Sequence, residues 1–368
     1  MGVPQTVLPD DNGAVPFSGE HEGMNERHFA SDNGAGAHPE VLAALAAANG
    51  GHYTAYGADP ITDEAIDRIR DLLSPDTAVF FAFNGTGANV VAFTSALRPH
   101  QAVIAPARAH LNVDECGALE RFGGMKIIGV PVTGGKLTAA DVERQMRGIG
   151  DPHHVQPGAI SISQSTEVGT VYTLGELRSL GSVAREHGLF FHVDGARIAN
   201  AVASLGTDLK TMLLDTGVDA FTFGGTKNGM LFGEAIVFPK SHPAVELVPY
   251  VRKSGMQLAS KMRFVAAQFS AMLEDDLWLR SARHANAMAA RLSAALVRAG
   301  VALAHPTQAN GVFAILPPAA IAPLQRKRRF YVWDETASVV RLMCSFDTTE
   351  GDVDSFAAAV EREVAAYR

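Results

Sequence analysis

A lysine set between glycines is the first residue of this chain whose surroundings suggest chemistry. In Phe221-Thr-Phe-Gly-Gly-Thr-Lys-Asn-Gly-Met230 an apolar run ends in two glycines, and Lys227 follows just before a third. Glycines let a backbone and a ligand approach closely. A lysine just past a buried strand loses proton affinity through desolvation, and its neutral amine is a nucleophile. A lone turn lysine is ordinarily a solvated surface residue, so the reading depends on partners elsewhere.

One partner is Asp194, which closes the apolar run Leu189-Phe-Phe-His-Val-Asp194, with Arg197 three residues on. Ligand sites of open α/β sheets gather at such strand ends. A buried aspartate needs a cation, and a protonated ring nitrogen would serve. Arg197 could reach an anionic ligand group; a plain Asp194–Arg197 pair at a helix start is the structural alternative. A second partner is Phe80-Phe-Ala-Phe-Asn-Gly-Thr-Gly-Ala-Asn89, a strand running through a short glycine loop into a helix over Ala88–Leu97. Amides at a helix N-terminus cradle phosphate. Gly85 and Thr86 are the candidates, with Thr226 beside the lysine. The full Gly-x-Gly-x-x-Gly dinucleotide fingerprint is missing. A third partner is His110, after the run Ala102–Ala105; it could stack on a flat ring and move a proton, or simply hold a loop.

Elements must position these groups. Short apolar runs at Ala78–Phe83, Ala102–Ala105, Lys126–Pro131, Ala159–Ser163, Leu189–Asp194, Asp219–Phe223 and Glu234–Phe238 alternate with helical stretches. Continuous hydrophobic runs suit strands buried on both faces of a mostly parallel sheet. Thr173 and Glu176 form a capping-box pattern, and Gly188 ends the helix that follows. After about residue 250 the texture changes. Helices are expected over Met256–Leu273, Trp278–Ala299 and Asp352–Tyr367, with short β pieces at Gly311–Leu316, Arg329–Trp333 and Ser338–Cys344. The expected organisation is an arm over 1–27, a large α/β domain over 28–255, and a linking helix with a smaller α+β domain over 256–368.

The 368 residues suit this two-domain plan. The net charge of −8 without a Lys/Arg run speaks against nucleic-acid or anionic-membrane surfaces. No apolar run is long enough to span a bilayer. The acidic first residues have no basic start or apolar centre and read as an arm, not a signal peptide. The two cysteines, Cys116 and Cys344, lie too far apart in sequence for a disulfide framework and suit a reducing cytoplasm. No His/Asp/Glu cluster shows metal-ligand spacing, so no metal is expected.

Taken in order, these segments resemble the low-specificity L-threonine aldolases, a branch of the fold-type-I pyridoxal-5′-phosphate (PLP) enzymes. The likeness runs from about Phe29 to the C-terminal helix. It includes Phe29-Ala-Ser-Asp-Asn33, Ala55-Tyr-Gly57, Phe80–Asn89, His110 with Asp114-Glu-Cys-Gly-Ala118, and Ser165-Thr-Glu-Val-Gly169. It continues through His192-Val-Asp-Gly-Ala-Arg197, Phe223-Gly-Gly-Thr-Lys-Asn-Gly-Met230, Ser260-Lys-Met-Arg-Phe264, Ala309-Asn-Gly-Val-Phe313 and Arg341-Leu-Met-Cys-Ser-Phe-Asp347.

The resemblance implies a large PLP-binding domain and retro-aldol cleavage of threonine, allo-threonine or phenylserine-like substrates to glycine and an aldehyde. Lys227 would carry the cofactor and Asp194 would hold its ring nitrogen. His110 would stack on the ring, and Gly85, Thr86 and Thr226 would hold the phosphate. Ser31, Arg197 and Arg341 would grip the substrate carboxylate. Tyr56 and Lys261 would belong to a site shared across subunits of a homotetramer built from dimers. His153 would be a second site histidine, with His154 its alternative. Ala58 stands where an aspartate is frequent and Phe346 where tryptophan is common, which leaves the substrate side-chain pocket open. The competing readings are a PLP-dependent β-eliminating lyase, a nicotinamide dehydrogenase and a non-catalytic scaffold of the same fold.

Overall fold

The computed structural model describes residues 26–367; the arm expected over 1–27 lies almost wholly outside them. The chain forms two compact units. One is Gly36–His284; the other comprises the described residues of Met1–Ala35 together with Ala285–Arg368.

The first unit is built on a seven-stranded sheet. Its strands are β1 (Thr77–Ala82), β2 (Gln101–Pro106), β3 (Lys126–Val130), β4 (Gln156–Ser163), β5 (Phe190–Asp194), β6 (Ala220–Gly224) and β7 (Glu234–Pro239). Their order is β1-β7-β6-β5-β4-β2-β3. Strands β2 to β6 pair in parallel, whereas β7 runs antiparallel to both β6 and β1. The apolar runs of the sequence are these strands, to within a few residues at each end. Parallel strands need helical crossovers, and Leu174–His187 is one. Its Thr173–Glu176 capping box is formed, and Gly188 closes it at φ 64°.

Two helix expectations are corrected. The helix after the glycine loop begins at Gly85, not Ala88, because the Asn84 side chain accepts the Gly87 amide and caps it there. The helix expected over Met256–Leu273 is broken: Val248–Ser254 ends at Gly255, Met256 takes a left-handed φ of 61°, and helix resumes at Arg263–Leu273.

The second unit carries β8 (Ala302–Leu303), β9 (Gly311–Ile315), β10 (Tyr331–Asp334) and β11 (Val339–Met343) in the antiparallel order β10-β11-β9-β8. Its core joins Phe29, Leu292, Phe330, Phe356 and Val360. Phe29 packs on Phe356 with ring centroids 5.0 Å apart. Helix Leu277–Arg298 runs from the first unit into the second. No helix among the described residues is long and apolar enough to cross a membrane.

Candidate active site

The parallel strands end at one edge of the large sheet, and the chemistry gathers there. Strand β1 leads to Gly85, β2 to His110, β4 to Glu167, β5 ends in Asp194, and β6 leads to Lys227. Because β7 is antiparallel, its first residue, Glu234, stands at that same edge, opposite Gly224 on one side and Ala82 on the other.

Asp194 is buried at the end of β5, opposite Ser163. Its Oδ2 accepts from Asn89 Nδ2 at 3.0 Å and its Oδ1 from the Ala196 amide at 3.0 Å. Burial alone would raise this carboxyl. The Asn89 hydrogen bond, the charge of His110, the Ala196 amide and the charge of Lys227 outweigh it and hold Asp194 below the ordinary aspartate range. The result is a fixed buried anion with cations around it.

His110 starts the short helix His110–Val113. Its Nδ1 lies 2.9 Å from Oε1 of the buried Glu115, and its side chain keeps 37% of its surface exposed, so the other ring nitrogen can meet a ligand. The Glu115 hydrogen bond raises the imidazole's proton affinity above the ordinary value despite burial. Glu167 accepts the His110 backbone amide at 3.0 Å and the Ser163 hydroxyl. Its enclosed carboxyl is pushed up by burial.

His110, Glu115 and Asp194 thus bring ligand-type atoms within 4.8 Å of one another, a cluster that sequence spacing did not show. Asn89 Nδ2 donates to both carboxylates, 2.8 Å to Glu115 and 3.0 Å to Asp194. Glu115 Oε2 is buried there without a hydrogen-bond partner.

The glycines around Lys227 have packing reasons of their own. A Cβ on Gly224 would lie 2.7 Å from the Ala196 carbonyl oxygen, and one on Gly225 would lie 2.1 Å from Met230 Sδ. Gly229 takes φ 109°. Thr226, expected at a phosphate, donates its hydroxyl to Glu234 Oε1 at 2.9 Å and accepts the Gly233 amide at 3.1 Å. Its single hydrogen is therefore used inside the turn.

At the glycine loop, Asn84 caps the Gly87 amide, and the amides of Gly85 and Thr86 stand ahead of that cap in the first turn of a 12-residue helix. A Cβ built on Gly85 would meet nothing within 4 Å. Gln257 closes the other side: its Oε1 accepts the Phe83 amide at 3.0 Å, and its side chain fills the space above Gly87.

Other expected site residues make contacts of their own. His153 is exposed and its amide bonds Asp151; His154 pairs with Asp151 at 3.4 Å. Tyr56 takes a left-handed φ of 63°, is 49% exposed, and carries the Lys253 ammonium over its ring at 4.5 Å. Lys261 is exposed beside Ser260, whose carbonyl holds the Tyr56 amide. Arg197 is the residue before helix Ile198–Leu205. In the second unit Ser31 Oγ caps a short turn, and Arg341 reaches the Ala30 carbonyl while lying over Tyr331 and Trp333.

Asn89, Glu115, Glu167, Glu234 and Gln257 were not singled out from sequence. Asn89, Glu115 and Glu167 lie inside quoted segments, Glu234 opens an apolar run and Gln257 falls in an expected helix, but nothing in their spacing marks them as site residues.

The donor set fits PLP. A buried anion could pair with a ring nitrogen, an imidazole stands beside it, a lysine follows the next strand, and open space faces a helix N-terminus. Comparison with known proteins agrees. The beta-eliminating lyase profile matches residues 28–317. The chain belongs to that family. A low-specificity L-threonine aldolase from Pseudomonas sp. is 43% identical over 343 residues, covering 92% of this chain and 99% of its own. One from Pseudomonas aeruginosa is 45% identical over 326 residues, covering 88% and 93%. A solved structure of a threonine aldolase from Leishmania major superposes with a TM-score of 0.87 at 35% identity, covering 91% of this chain and 99% of that one. The family member described here is a PLP-dependent lyase of fold type I, as the sequence resemblance implied.

Proposed function

We propose that this lyase cleaves the Cα–Cβ bond of L-threonine, L-allo-threonine and related β-hydroxy-α-amino acids, phenylserine among them, to glycine and an aldehyde. The observation that carries the reading is the gathering of Asp194, His110 and Lys227 at one sheet edge, with Asp194 kept anionic although buried. The names of the similar proteins point the same way. PLP, when bound, supplies an electron sink for the pair left by bond cleavage.

The chain's own residues then have distinct tasks. Lys227 provides the amine that carries the cofactor. Asp194 holds a proton at the ring nitrogen through its buried carboxylate. Gly85 and Thr86 offer amides to the phosphate. His110 has Nδ1 committed to Glu115, so Nε2 is the nitrogen left to take the β-hydroxyl proton, directly or through a water it orients. Arg197, Arg341 and Ser31 are our candidates for the substrate carboxylate, a task suited to the guanidinium fork. His153, Tyr56 and Thr226 complete the set.

The second reading, β-elimination, predicts a keto acid in place of glycine. A substrate panel of threonine, allo-threonine, phenylserine and serine, assayed for aldehyde, glycine and pyruvate, separates the two. Aldehyde and glycine in equal amounts support cleavage; pyruvate without glycine overturns it. We further place the enzyme in the cytoplasm, away from nucleic acid and membrane, as a homotetramer of paired dimers with shared active sites. The net negative charge and the exposed Tyr56, Tyr250 and Met256 support that reading, and light scattering of the purified protein tests the assembly.

A further inference from the structure

Glu234 is a carboxyl that the cleavage mechanism does not use, yet it is built into the lysine turn. It is 5% exposed and begins β7 between Gly224, where the lysine strand ends, and Ala82, where the strand leading to the phosphate loop ends. Its Oε1 takes the Thr226 hydroxyl at 2.9 Å. Thr226 Oγ1 takes the Gly233 amide at 3.1 Å, and the Gly225 amide reaches the Gly233 carbonyl at 3.2 Å. These bonds tie the two residues before Lys227 to the start of β7. The other carboxyl oxygen, Oε2, is buried with no hydrogen-bond partner.

We propose that Glu234 is a positioning residue that fixes the lysine turn through Thr226 and sets how readily Lys227 gives up its proton. The proposal rests on the assignment of Lys227 as the cofactor lysine. A buried carboxylate oxygen without a donor is costly, and a proton on the group removes that cost. Burial pushes this carboxyl up to about 7, with the Thr226 bond, the Lys227 charge and the nearby Gly225 amide pulling it down and Asp194 pushing it up. Arg252 of helix Val248–Ser254 reaches the Phe81 carbonyl at 3.2 Å, one residue before Glu234's partner Ala82. Strands β1, β6 and β7 carry no other charged side chain, and neither does helix Gly85–Ala96. Helix Arg263–Leu273 has only Arg263, which is turned to the Ala48 carbonyl. A neutral Glu234 does nothing to hold a proton on the neighbouring amine. An ionised one stabilises the ammonium and makes Lys227 a poorer nucleophile. The hydrogen bond to Thr226 works in either state, so position and proton affinity can be separated by substitution.

The test compares wild type, Glu234→Gln and Glu234→Ala as purified proteins. Three things are measured: the dissociation constant for PLP added to apoenzyme, the pH titration of the cofactor absorbance in holoenzyme, and borohydride labelling of Lys227. Glu234→Gln keeps an acceptor for Thr226 but cannot titrate. It is expected to bind PLP nearly as wild type does and to lose one step of the absorbance titration near neutral pH. Glu234→Ala loses the tie, and its dissociation constant is expected to rise about tenfold, the effect of one buried hydrogen bond. Wild-type titration and affinity in both variants, with Lys227 labelled in all three proteins, would overturn the proposal while leaving the lysine assignment intact. Absence of label in wild type would instead overturn that assignment.

Discussion

Asn89 Nδ2 lies 3.0 Å from Asp194 Oδ2 and 2.8 Å from Glu115 Oε1, so a single amide bridges two buried carboxylates. This contact lets Asp194 stay ionised although buried, while Glu115 holds His110. Replacing Asn89 with alanine removes both donors and leaves like charges facing each other. Asn89→Ala should lose about 2–3 kcal/mol of stability at neutral pH, the cost of stranding buried charged acceptors. Its PLP affinity should also fall. Urea denaturation and a cofactor titration check both outcomes.

The Glu115 bond raises the proton affinity of His110. A group raised on folding stabilises the fold fully below its unfolded value, and that contribution is lost as pH rises through the folded value. Glu115→Gln withdraws the charge, so less of this stabilisation should remain at acidic pH. The activity limb that requires neutral His110 should move to lower pH. Denaturation and kcat/KM measured across pH, compared with wild type, test both shifts.

Glu234 gives a stability trend of its own. Its folded value of about 7 lies above the ordinary 4.5 of a glutamate, so the folded state binds the extra proton between them. Its contribution is fully present below the unfolded value and is lost as pH rises toward the folded one. Relative to Glu234→Gln, wild-type apoenzyme should weaken over that window by at most roughly 3 kcal/mol, at 1.36 kcal/mol per pH unit. Paired denaturation curves at acidic and slightly alkaline pH give the difference directly. A flat difference would show that the carboxyl is ionised throughout.

Much of this architecture is legible in the sequence because β2, β4, β5 and β6 are continuous apolar runs that burial on both faces demands. The Thr173–Glu176 box and Gly188 mark a helix by local chemistry alone. Lys227, Asp194 and Gly85 are legible because each directly follows or ends such a run. Asn89, Glu115, Glu167 and Glu234 are not. Each belongs to a different element, and their meeting depends on the parallel crossovers and on the reversed direction of β7. The break at Gly255 was hidden because Met256 is an ordinary helix former, whereas its left-handed backbone is set by tertiary packing. The Thr226–Glu234 bond likewise depends on the fold, which brings the start of β7 beside the lysine turn.

Gly85 separates cofactor binding from folding. No atom lies within 4 Å of a Cβ built there, and the residue opens a helix where alanine is well tolerated. Gly85→Ala should leave the melting temperature of apoenzyme unchanged or slightly raised. If that space belongs to the phosphate, the same change should weaken PLP binding by about tenfold or more, the scale of 1–3 kcal/mol for overpacking. Calorimetric titration of apoenzyme with PLP, beside a thermal melt, reads both effects.

The most direct test is to reduce the holoenzyme with borohydride, digest it, and map the peptide that retains the pyridoxyl group. The label should fall on Lys227, in the tryptic peptide Thr211–Lys240 left uncut at the modified lysine, and be absent from a Lys227→Ala variant. Label on any other lysine, or none in a protein saturated with PLP, would contradict the account.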